Sequence, residues 1–258
     1  MKNTLTVKIL GSGTSQGVPV IGCQCKVCKS SDVKDNRLRS SILFTWNSVN
    51  FVIDTGPDFR AQMLREDVRS LRAVIYTHEH KDHVAGMDDV RSFNYMEGRN
   101  MELFCTNAVS ETLKREFHYA FGENLYPGVP KVNINIIENK KFQLPDGPEI
   151  TPILAYHYKM PVFGYRIGDF AYLTDVKTIS SEELNKLKGI NTLVIDCLRE
   201  ESHISHLNLE EALEIIDYLK PKQSYLTHIS HMFDTHENII NKLPEGVSPA
   251  FDGMVIKM

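Results

Sequence analysis

The chain has no apolar run approaching the roughly 20 residues that cross a bilayer as a helix, so a membrane-spanning helix is not expected. Cysteine is sparse: five in 258 residues, with Cys23, Cys25 and Cys28 clustered. An odd, clustered set does not make a disulfide framework. There is no excess of positive charge either. The net charge is −4, which argues against a protein that grips nucleic acid by bulk electrostatics. Long linkers, low-complexity tracts and short-period repeats are also missing. The opening stretch carries Lys8 where an export signal needs unbroken apolar sequence, and Leu5, Val7 and Ile9 alternate as in a strand. A cytoplasmic protein with reduced thiols is therefore expected.

With 42% apolar and 24% charged residues, a packed globular core is expected. Strand-like runs occupy 4–10, 42–46, 49–53, 73–77, 102–105, 132–137 and 150–156, then 164–167, 170–174, 192–196, 224–227 and 254–256. The early runs pair as hairpins do. Helical patterns lie between the later ones: 180–187 and 208–219 open on a capping residue and an acidic first turn, and Pro221 follows the second. One mixed α/β domain spanning 1–258 is the simplest organisation.

The densest chemistry is His78-Glu79-His80-Lys81-Asp82-His83, directly after the β-prone run Ala73 to Thr77. A loop leaving a strand end can turn His78 and His80 to one metal, and Asp82 and His83 to a second. Neutral imidazole and carboxylate suit zinc, manganese or iron, and the spacing is not the helical His-Glu-x-x-His of metalloproteases. His157, Asp175 and His228 each follow a further apolar strand. Alone, each reads as a hydrogen-bonded or turn residue; together, beside the 78–83 run, they read as ligands.

Cys23, Cys25 and Cys28 fit a zinc knuckle at about 22–29 that needs one more ligand. His231, three residues after His228, is the natural fourth. A redox pair of Cys25 and Cys28 is the alternative, and the third thiol counts against it. Cys105 and Cys197 sit in apolar strands and read as core.

The order His-x-His-x-Asp-His, then His, Asp and His, together with Val52-Ile53-Asp54-Thr55-Gly56, resembles the metallo-β-lactamase-fold hydrolases over essentially the whole chain. That resemblance implies an αββα sandwich with its site at one edge between the sheets. It assigns His78, His80 and His157 to a first metal, Asp82, His83 and His228 to a second, and Asp175 to both. His83 is similar to the dinuclear phosphodiesterase branch. Asp54 reads either as a residue that orients an imidazole or as a turn former. Gly11 to Pro19, the cysteine cluster, Asn36 to Ser41, Asp54 to Arg60 and Thr227-His-Ile-Ser-His231 together resemble the phosphoribosyl 1,2-cyclic phosphate phosphodiesterase family, which serves the bacterial carbon–phosphorus lyase pathway.

The resemblance implies two active-site divalent metals, zinc or manganese, one structural zinc, a small phosphorylated substrate and a homodimer. It implies hydrolysis of a cyclic phosphate, and Asp82 could orient the attacking hydroxide. A leaving alkoxide needs a proton; His206 is the candidate donor, by similarity to the histidine that precedes a helix in tRNase Z, with His203 as rival. Arg37 and Arg39 could face a substrate phosphate or form an ordinary surface pair. A tRNase Z-like endonuclease shares the core motif but would be expected to carry a tRNA-gripping arm and positive charge. A thioester or lactam hydrolase and a non-catalytic zinc protein are the remaining readings.

Overall fold

The computed structural model describes residues 4–122 and 126–258. Alternation along the strands sets its layers. β1 (Leu5–Gly11), β2 (Ser41–Trp46) and β3 (Val49–Ile53) form an antiparallel meander, and β4 (Ala73–Ile75), β5 (Met101–Cys105) and β6 (Val132–Ile136) extend it in parallel. The second sheet is built from β7 (Phe142–Gln143), β8 (Glu149–His157), β9 (Met160–Ile167), β10 (Phe170–Leu173), β11 (Thr178–Ile179), β12 (Thr192–Asp196), β13 (Gln223–Thr227) and β14 (Val247–Pro249). Its β8–β9 hairpin leads into β10, which runs parallel to β12, β13 and β14. The last strand, β15 (Val255–Lys257), returns to pair antiparallel with β1.

Successive strand side chains face opposite sides. Phe51 and Ile53 therefore point into a core shared by the two sheets, with Phe44, Tyr165, Phe170 and Val194. Val52 points outward, into a second core with Phe59 and Met63 of α1 (Phe59–Arg65), Phe93 of α3 (Arg91–Glu97) and Val109 and Leu113 of α4 (Asn107–Glu116). A third core covers the outer face of the second sheet. There Leu193 and Ile195 meet Ala212 and Leu219 of α6 (Leu209–Leu219) and Ile239 of α7 (His236–Ile240). The order is helices, sheet, sheet, helices: the αββα sandwich that the motifs implied.

Two details differ from the sequence reading. The runs starting at 73 and 170 leave the sheet at Ile75 and Leu173, because Thr77 and Thr174 turn their hydroxyls to Asp54 and Asp175 instead. The 78–83 run is a loop only as far as His80; Lys81–Val84 closes one helical turn, α2, through His83 N–H and Val84 N–H to the His80 carbonyl.

Candidate active site

Strand ends deliver the site. β3 and β4 are parallel neighbours, and past their ends stand Asp54 and His78. β10, β12 and β13 are parallel neighbours too, and they finish at or just before Asp175, Asp196 and His228. His157 is the last residue of β8. Asp54, Asp175 and His228 hold positive φ values of 67°, 58° and 60°. Aspartate tolerates that left-handed region better than most residues, while a histidine there is strained, as is common where a functional side chain must be aimed.

Asp175 is the hub. One of its oxygens lies 3.2 Å from His83 Nε2 and 3.0 Å from His228 Nδ1, and the other lies 3.9 Å from His78 Nε2. Asp82 stands 3.2 Å from the same His83 nitrogen. The rings of His78, His80 and His157 surround the other side at 4.8, 5.2 and 6.0 Å. Donor atoms gather within 4.8 Å of one another in three sets that share Asp175: with His78 and His83, with Asp82 and His228, and with His157 and His206. His80 belongs to none of these sets and stands exposed at the mouth, joined by its ring contacts.

The donors fit divalent cations. His78 Nε2, His83 Nε2, His157 Nδ1 and His228 Nε2 are buried with no hydrogen-bond partner. Such buried, unpaired ring nitrogens are costly unless something binds them. Burial drives His78 well below the usual imidazole range and takes His157 down to about 4, so both are neutral and ligand-competent. Burial also opposes charge on His83, but Asp175, Asp82 and Asp54 outweigh it and hold that ring well above its usual value. Asp175 stays ionised against its burial because His228 and His83 flank it. Behind the site, Asp54 fixes a ring: its carboxylate accepts from His83 Nδ1 at 2.7 Å, Thr77 Oγ1 at 2.7 Å and Thr77 N–H at 2.8 Å. Its orienting and turn-forming roles coincide.

His206 stacks between the two halves of the cluster, its ring 4.5 Å from His157 and 4.6 Å from His228. Its Nδ1 donates to Asp196 at 3.2 Å. Burial disfavours the imidazolium, but Asp196 raises the ring to about 9. Asp196 is fully buried and also accepts from Val176 and Leu207 N–H. It went unnamed in the sequence reading, although Val194-Ile195-Asp196 repeats the strand-then-ligand pattern that marked the other residues. His203 is one step further out, half-buried, 5.3 Å from His206 and bonded to Ser205.

The cysteine cluster converges as well. His231 Nδ1 lies 3.3, 3.5 and 3.5 Å from the sulfurs of Cys23, Cys25 and Cys28. Tetrahedral ligands at ordinary Zn–N and Zn–S lengths stand about 3.5 Å apart. Cys28 N–H and His231 lower the Cys25 thiol to about 6, toward thiolate, while burial pushes Cys28 up to about 11. All five thiols are free, and Cys105 and Cys197 are buried in the outer cores.

Arg37 corrects the sequence reading. It is almost fully buried and donates to Ser12 Oγ and the Ala250 carbonyl, so it neither faces substrate nor lies at the surface.

The sequence profile of the β-lactamase superfamily domain matches residues 49–229. The chain belongs to that superfamily. Within it, the crystal structure of a diphosphatase from the PhnP family is similar at 38% identity and a TM-score of 0.93, over 100% of this chain and 98% of that one. Within the superfamily the chain is thus PhnP-like. The Zn²⁺-bound PqqB of Methylobacterium extorquens shares the fold, with a TM-score of 0.79 at 19% identity over 98% of this chain and all of that one. A curated protein of Porphyromonas gingivalis named octanoyltransferase is 38% identical over 249 residues, 95% of this chain and 50% of its own length. The chain spans about half the length of that relative.

Proposed function

We propose that the protein hydrolyses a small cyclic phosphodiester on a ribose, 5-phosphoribosyl 1,2-cyclic phosphate being the lead substrate. The observation that carries this reading is the Asp196–His206 pair set against the ligand cluster. His78, His80 and His157 would hold one divalent cation, Asp82, His83 and His228 a second, and Asp175 both; zinc and manganese each suit these donors. When bound, such a pair supplies a low-pKa water and neutralises charge on phosphoryl oxygens. Asp82 orients the attacking oxygen. As the ring P–O bond breaks, His206 gives a proton to the departing ribose oxygen, while Asp196 keeps the other ring nitrogen engaged. An alkoxide needs that proton, which favours an ester over a leaving group that is already stable. A net charge of −4 supports a small substrate rather than a polyanion. Cys23, Cys25, Cys28 and His231 would hold a structural zinc.

A second reading is hydrolysis of a diphosphate, favoured by the activity named for the 38%-identical neighbour. The metal-loaded protein should be assayed against 5-phosphoribosyl 1,2-cyclic phosphate, a diphosphate diester, pre-tRNA, a cephalosporin and an octanoyl thioester. Turnover is expected to be fastest on the cyclic phosphate, with pre-tRNA intact. Faster diphosphate cleavage would select the second reading; faster thioester cleavage would defeat both.

A further inference from the structure

Lys177 takes no part in the chemistry proposed for the cluster, yet it lies two residues beyond Asp175, at the head of β11. Its own N–H donates to the Tyr156 carbonyl at 2.8 Å, which fastens it to the strand that ends in His157. Val176, just before it, is joined to the His206 loop twice. Val176 N–H donates to Asp196 at 3.1 Å, and its carbonyl accepts from Leu207 N–H at 2.8 Å. The Lys177 ammonium adds a third, charged tie. Its Nζ donates to both carboxylate oxygens of Glu211, at 2.6 and 2.8 Å. The second of those oxygens also accepts from Asn208 N–H at 3.0 Å. One carboxylate is thus shared between the first turn of α6 and the segment that carries Asp175.

An exposed ion pair between two mobile side chains contributes little. Here both partners are anchored: Glu211 by the helix cap it completes, Lys177 by its backbone, with the lysine side chain only 18% exposed. Such a pair fixes the separation of two segments. One carries Asp175 and lies against His157; the other carries His206, whose ring stands 4.5 Å from His157. A proton donor works only over a short reach, and a misplacement of about 1 Å can cost roughly 10²-fold in rate. We propose that Lys177 is a positioning residue: through Glu211 it holds His206 at its working distance from the ligand cluster. This rests on the reading above in which His206 protonates the departing ribose oxygen.

The test compares wild type, Lys177→Met, Lys177→Arg and Glu211→Gln, all zinc-loaded to equal content. Glutamine at position 211 still completes the cap but carries no charge for the lysine. Lys177→Met should lower kcat on 5-phosphoribosyl 1,2-cyclic phosphate by roughly 10- to 100-fold, with KM and zinc content retained and a p-nitrophenyl ester much less affected. Lys177→Arg should restore most of that kcat. Glu211→Gln should match Lys177→Met, and the double variant should lose no more than either; if Lys177→Met does not fold by its melting temperature, Glu211→Gln carries the comparison alone. The ring NMR signals of His206, assigned by their loss in His206→Ala, should move in Lys177→Met and return in Lys177→Arg. If His206→Ala keeps full kcat while those signals still move and return, the acid assignment fails and the positioning role stands. Unmoved His206 signals, equal losses on both esters, or losses that add in the double variant would overturn the positioning role.

Discussion

At the scale of single residues, the pairing of His206 with Asp196 separates proton delivery from cation binding. His206→Ala removes the donor and should lower kcat on a ribose cyclic phosphate by roughly 10²- to 10⁴-fold, with metal content normal. A p-nitrophenyl ester, whose leaving group needs little protonation, should be much less affected. Equal losses on both substrates would exclude His206 as the acid. Asp196→Asn keeps an oxygen for His206 Nδ1 but loses the charge that raises the ring. A fall in kcat of roughly 10- to 100-fold is expected, matching the strength of a charged hydrogen bond, with the alkaline limb of the pH–rate profile, where His206 loses its proton, moved to lower pH. An unchanged profile would reduce Asp196 to a backbone clamp for Val176 and Leu207. Residue identity was readable in the sequence where density or repetition marked it, as at 78–83. It was not readable where two like residues differ only in surroundings. Arg37 and Arg39 are one residue apart in the same motif, and only packing shows that the first is buried and the second open.

At the scale of elements, α6 aims the His206 loop. Asn208 Oδ1 accepts from Glu211 N–H, and the Glu211 carboxylate accepts from Asn208 N–H, closing a capping box two residues past His206. Asn208→Ala should cost about 1 kcal/mol of stability and lower kcat more than it lowers metal content; chemical denaturation beside steady-state kinetics checks both. That cap was visible in the sequence, as was the Ser180 cap of α5 (Ser181–Asn185), because capping chemistry is local. β3 and β12 likewise coincide with their expected limits, since apolar runs bounded by turns need no tertiary information. Other elements depend on contacts distant in sequence. α1, α3 and α7 are short and lack the long amphipathic stripe that marks a helix by periodicity; what holds them is the face of sheet they cover. α2 is a single polar turn, set by the positions its side chains take at the site. The knuckle is an element as well, because it ties the loop at 23–28 to the segment after β13. Cys25→Ser should lower melting temperature and remove one zinc per chain, since a structural ion contributes its binding energy to folding. Unchanged stability and zinc content would dismiss the Cys23-Cys25-Cys28-His231 site.

At the scale of the whole molecule, both sheets contribute strand ends to the candidate ligand cluster, so metal binding, protons and fold should be linked. Thr227 to His231 joins both sites: His228 reaches Asp175, His231 reaches the thiols, and Ile229 pairs with Ser12 and Thr14 through its N–H and carbonyl. Without metal, the three carboxylates around His83 favour its protonated form, while burial favours the neutral forms of His78 and His157. The signs are opposite. The raised His83 contributes stability that is complete below the unfolded imidazole value of about 6.5 and is lost as pH rises through its higher folded value. The depressed His78 and His157 contribute stability that is complete above about 6.5 and falls as pH drops, toward about 4 for His157. A cation held by His83 Nε2, as proposed, needs that lone pair, so the proton that the carboxylates favour there should leave when metal enters, whereas neutral His78 and His157 would release none. Adding zinc or manganese to chelator-treated protein should therefore liberate protons at pH 7. The measured heat should change with the ionisation enthalpy of the buffer, and apparent affinity should weaken as pH falls. Asp54→Asn removes one of the carboxylates that charge His83; it should reduce the proton release while leaving the ligand atoms in place. Heats independent of buffer in the wild-type protein would show that His83 is already neutral, and its place among the ligands would then rest on geometry alone.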